Sequence, residues 1–75
     1  MKFEWTGVYF GVTHIKNIPK RYQITISGVQ TNLPRAYLLD RDSDQVFNEI
    51  REYFGTLENC KFIAEEWAEQ IMEGI

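Results

Sequence analysis

From Tyr22 to Ser27 the chain alternates without exception: Tyr22, Ile24 and Ile26 are apolar, while Gln23, Thr25 and Ser27 are polar. A period of two with one polar face specifies a half-buried antiparallel strand. Such a strand needs a second layer over its apolar side, so this stretch commits the chain to a layered fold. The strand is expected over Tyr22–Val29, ended by Gly28 and the run Gln30-Thr31-Asn32. Pro34 keeps the chain from continuing as a central strand, and the short apolar run Arg35–Leu39 reads as a third strand.

The covering layer is legible near the C-terminal end. Cys60, Ile63, Ala64, Trp67, Ala68, Ile71 and Met72 recur at helical spacing and form one apolar stripe. Thr56 or Asn59 is placed to cap this helix and Gly74 to end it. A shorter helix is expected before it. Asp42 with Gln45 three residues on has the form of a capping box. Asp44 complements the positive end of a helix dipole. Val46, Phe47, Ile50, Tyr53 and Phe54 then repeat as one helix face, and Gly55 stands where a left-handed cap belongs. The N-terminal run Lys2–Thr13, rich in Phe, Trp, Val and Tyr, reads as a strand interrupted by Gly7 and Gly11. His14–Lys20, with Asn17 and Pro19, reads as a hairpin loop. The expected fold is therefore α+β: an antiparallel sheet of two to three strands followed by two helices on one face, with the other sheet face uncovered. The whole chain, residues 1–75, is expected to be a single domain.

Size asks how so small a unit holds together. Its eleven aromatic residues supply a core, since each buries about 150–250 Å². One cysteine, Cys60, excludes an intrachain disulfide, and with the single His14 it cannot make a Cys/His zinc site. The cysteine count fits a reducing compartment. Met1–Gly7 carries Glu4 and lacks the apolar run of a signal peptide. A cytoplasmic protein is expected, within a host cell if a phage encodes it, with no membrane association and no cofactor.

Charge divides the chain. Residues 1–41 carry +4 and residues 42–75 carry −7. The acid concentrates on the last helix, where Glu65, Glu69 and Glu73 follow at intervals of four, with Glu58 and Glu66 beside them. Such a face keeps a small protein soluble, or docks on a basic partner with glutamates standing in for phosphates. The base gathers at His14, Lys16, Lys20 and Arg21, with Arg35 approaching from the next turn. Combined with Trp5, Tyr9 and Tyr22 on strands, this is the arrangement of a sheet that stacks single-stranded bases. The overall acidity argues against that use. Exposed aromatics on the uncovered sheet face would instead mark a protein interface or a homodimer.

Catalysis has little support. A Cys60–His14 pair is chemically conceivable, but Cys60 lies on the apolar stripe. No phosphate loop or nucleophile elbow is present. Asp40, Asp42 and Asp44 begin like a calcium loop without its later Gly and Glu, so no metal is expected.

From Asp42-Ser43 through Phe54-Gly55, the layout of a short helix with aromatics near its end, a glycine turn and a final helix resembles that of small type I-F anti-CRISPR proteins of phage. That resemblance implies an inhibitor that occupies a nucleic-acid-handling complex, and it assigns no binding residue. The expected function is a non-enzymatic protein-binding module. Such a module would act as an inhibitor by steric and electrostatic occlusion of a basic nucleic-acid-binding complex. The alternatives are a single-stranded nucleic-acid binder and a structural homodimer.

Overall fold

The computed structural model describes residues 3–41 and 47–74. Their elements run β1 (Thr13–His14), β2 (Tyr22–Ser27), β3 (Arg35–Arg41), β4 (Phe47–Phe54) and α1 (Leu57–Glu73). The four strands form one antiparallel sheet in the order β1-β2-β3-β4, with α1 packed against it. The class is α+β, as the sequence implied, with more strand and less helix than expected.

The N-terminal segment is a hairpin, where one continuous strand was expected. Trp5 pairs with Ile15 and Tyr9 with Val12. Thr6 N–H donates to His14 O at 2.8 Å, and Lys16 N–H to Glu4 O at 2.7 Å. The reversal occurs at Phe10 and Gly11, whose φ values are 54° and 71°. Two consecutive left-handed residues let a two-residue turn match the twist of its strands. Gly11 adopts this conformation freely, whereas Phe10 is strained there.

Strand alternation assigns the two faces. Ile24 and Ile26 on β2 stand beside Leu38 and Ala36 on β3, and all four are buried under α1. The helix meets them with Cys60, Ala64, Ala68 and Trp67. Three of these are small and four residues apart, which lets the helix sit close to the sheet. Phe3 and Ile15 from the hairpin complete the core. The opposite face carries His14, Thr25, Tyr37 and Glu52 in one row across the four strands.

The larger correction concerns the helix expected before Gly55. Residues 47–54 are β4, paired with β3 along its length. The pairing runs Leu38 to Arg51 and then Leu39 to Glu49, so Ile50 is the extra residue of a β-bulge. One inserted residue shifts the alternation by a step. That places Ile50, Tyr53 and Phe54 at spacings a helix would also produce. The expected capping residues Asp42, Asp44 and Gln45 lie outside the described residues. Gly55 is a bend between β4 and α1. The Tyr53 ring lies over it, 2.7 Å from where a Cβ would stand, and Gly55 does not take the left-handed conformation expected of a cap. With residues 47–54 in a strand, the layout behind the anti-CRISPR resemblance is not that of this fold.

Helix α1 follows the sequence closely. Thr56 caps it, its hydroxyl accepting from Asn59 N–H at 3.1 Å, and Gly74 N–H returns to Gln70 O at 3.1 Å. No helix among the described residues is long and apolar enough to cross a membrane.

Candidate functional site

The helix surface turned away from the sheet is the most distinctive on the molecule. At 100° per residue, Phe62 lies about 180° from the mean direction of the buried residues Cys60, Ala64, Trp67 and Ala68. It is therefore at the outermost position of α1, and it is 62% exposed. Glu58, Glu66, Glu69 and Glu73 all fall within about 40° of it on the circumference, and all four are exposed. They make an acidic stripe about 22 Å long with one aromatic ring inside it. No basic residue occupies the last turn, where a cation would complement the helix dipole.

Glu65 leaves this stripe. It is half-buried, and Trp5 Nε1–H donates to its Oε2 at 2.9 Å. Lys61 Nζ stands 5.9 Å from the Trp5 ring, so cation, ring and carboxylate tie the hairpin to the helix. Trp5 and Glu65, both half-buried, hold two elements together here. Phe62 was missed in the sequence because it falls outside the apolar stripe. Its signal was there: a large aromatic with glutamate at i−4 and i+4, on the polar face of an otherwise regular amphipathic helix.

The basic residues do not form one patch. His14, Lys16 and Lys20 line a depression together with Gln23 and Arg41. Arg21 turns to Asp40, with its Nε 2.8 Å and its Nη2 3.2 Å from the carboxylate oxygens. That guanidinium holds the Asp40 carboxyl below the usual carboxylate range. Arg35 lies near the other end of β3, bonded to Glu52 at 2.5 Å and also to Glu49. Its guanidinium stacks 4.4 Å from the Tyr37 ring centre and 6.0 Å from that of Phe54.

Nor do the expected aromatics make a stacking platform. Trp5 and Tyr22 pack on the core under the helix layer. Tyr9 sits at the hairpin tip, 74% exposed and edge-on to Phe10 at 4.5 Å. On the open face Tyr37 is already covered by Arg35.

Cys60 is fully buried, its thiol 3.6 Å from Pro34 O and 3.7 Å from Gly55 O. Burial pushes its pKa up, which leaves it protonated and unreactive at neutral pH. His14 is on the opposite face of the sheet, so the structure does not bring the conceivable nucleophile and base together. Among the described residues, no three His, Cys, Asp or Glu side chains gather where they could hold a metal ion.

Three comparisons complete the description: no protein-family model, no curated protein and no solved structure matches the chain.

Proposed function

We propose that this protein is a non-enzymatic binding module that docks on a basic protein surface through the outer face of α1. The observation that carries this reading is Phe62, an aromatic ring at the most solvent-facing helical position, set among Glu58, Glu66, Glu69 and Glu73. An amphipathic helix gains nothing for its own fold by placing a phenylalanine opposite its core. Aromatic residues in such positions act as anchors that fill a partner's pocket, and a charged rim steers and orients the encounter. The partner this surface fits has an apolar slot bordered by lysine or arginine. Where the partner is a nucleic-acid-handling complex, the glutamates take the place of phosphates, and the outcome is inhibition by occlusion.

Affinity capture from a lysate of the source organism tests the reading. Immobilised wild-type protein is compared with Phe62→Ser and with a variant carrying Glu→Gln at 58, 66, 69 and 73. A basic protein retained by the wild type and lost by both variants supports docking through this face. Retention by both variants sinks it.

A further inference from the structure

Helix α1 covers β2 and β3 and leaves part of β4 open. Ile24, Ile26, Ala36 and Leu38 are buried beneath it, whereas Ile50 and Arg51 on β4 are exposed. Between helix and β4 runs a groove of about 450 Å³, a size usual for a small-molecule site. Leu38 lies at its floor, Trp67, Ile71 and Gly74 line it from α1, and Ile50 and Arg51 line it from β4.

The bulge builds the β4 wall. Consecutive residues of a regular strand point to opposite faces, yet Ile50 and Arg51 both line the groove. Arg51 belongs on this side because it pairs with buried Leu38. Ile50 joins it as the extra residue, and re-aiming a side chain is what a bulge does beside functional sites. The outcome is an isoleucine 51% exposed at the edge of an apolar groove.

Charge and length narrow the occupant. Arg51 makes no ion pair among the described residues, and no carboxylate lines the groove. Arg21, the other cation there, is held by Asp40. One free guanidinium presents a planar fork that a carboxylate fills with two parallel hydrogen bonds. Tyr22 lies opposite Asp40, two residues or about 7 Å along β3 from the Arg51 row. The helix wall from Trp67 to Gly74 rises about 10 Å. An extended acyl tail of medium length fits along both.

We infer that this groove binds an ionised medium-chain carboxylic acid, with the carboxylate on the Arg51 guanidinium and the tail against Ile50, Trp67, Ile71 and Tyr22. The groove is separate from the outer face of α1 and does not depend on the role proposed for that face.

Backbone amide shifts are followed by NMR as the full chain is titrated with octanoate and with octan-1-ol, its neutral analogue. Octanoate is expected to give saturable shifts at Ile50, Arg51, Trp67 and Ile71, and octanol to bind about tenfold more weakly for want of the charged hydrogen bonds. Arg51→Gln should bring octanoate down to the affinity of octanol and leave octanol unchanged. Ile50→Ser, at an exposed position, should weaken both about fivefold while the circular dichroism spectrum stays that of the wild type. Lys16→Gln, which removes an exposed cation outside the groove, should bind like the wild type. The inference is overturned if octanoate does not saturate by about 3 mM or if octanol binds equally well. It is overturned as well if Arg51→Gln or Ile50→Ser leaves octanoate affinity unchanged, or if Lys16→Gln weakens it as much as Arg51→Gln.

Discussion

The acidic stripe on α1 should be costly to the helix that bears it, and neutralising part of it should stabilise the protein. Glu69 has like charges at i−4 (Glu65), i−3 (Glu66) and i+4 (Glu73). Each such pair costs about 0.2–0.5 kcal/mol on a helix surface. Glu73 adds a second penalty. It lies in the last turn, near the negative end of the helix dipole, with no basic residue there to offset it; a charge so placed is worth about 0.3–1 kcal/mol. Replacing Glu69 and Glu73 by Gln removes three repulsive pairs and the dipole conflict. Glutamine and glutamate have nearly equal helix propensity, so little else changes. Allowing for solvent screening at exposed sites, the gain should be about 1–2 kcal/mol at low salt. For a domain of this size that is a rise in Tm of about 5–10 °C. Thermal unfolding followed by circular dichroism reads it directly. In 1 M salt the screening length falls to about 3 Å and most of the gain should vanish. An unchanged or lower Tm at low salt would refute the reasoning, because it would mean that the glutamates contribute to the fold through contacts the charge pattern does not contain.

Three further outcomes follow from particular residues. Phe10→Asn should stabilise the hairpin by about 0.5–1 kcal/mol, since it relieves a left-handed phenylalanine and gives up little buried area; a lower midpoint in urea would show that the Phe10 ring has a structural role. Thr25 is 3% exposed and its hydroxyl finds no hydrogen-bond partner among the described residues, so Thr25→Val should raise stability by about 1 kcal/mol, and a loss would point to an unseen partner such as a bound water. Burial raises the Cys60 pKa, so the folded thiol keeps its proton while the unfolded thiol releases its own above about pH 8.5. Unfolding is then favoured as pH rises past that value. The alkaline loss should be smaller in Cys60→Ala than in the wild type, and native Cys60 should resist iodoacetamide until the chain unfolds.

The parts of the fold that could be read directly were those where one periodicity operated alone. β2 alternates cleanly and α1 repeats cleanly, and both are found nearly where their patterns end. β4 was misread because the bulge at Ile50 breaks a period of two into steps that imitate a helix face. The N-terminal hairpin was misread because its turn places a phenylalanine in a conformation normally left to glycine or asparagine, so no turn signal stood before Gly11. The site was partly legible for a related reason. Glutamate spacing located the acidic face, but sequence position cannot say that Trp5 reaches across to take Glu65 out of it. Likewise, neither Arg21, although adjacent to Lys20 in sequence, nor Arg35 lines the depression that holds Lys20. Pairing with Asp40 and with Glu49 and Glu52 separates them from the depression, and strand register brings in Arg41 instead.

Phe62 is the residue on which the proposed function turns, and isothermal titration of the captured partner against wild type and Phe62→Ser tests it most directly. An anchor seated in a partner's pocket contributes at least about 2 kcal/mol. The dissociation constant should therefore rise about thirtyfold or more, while the circular dichroism spectrum stays that of the folded wild type. A variant that keeps wild-type affinity would contradict the account and leave the outer face of α1 as a solvated surface.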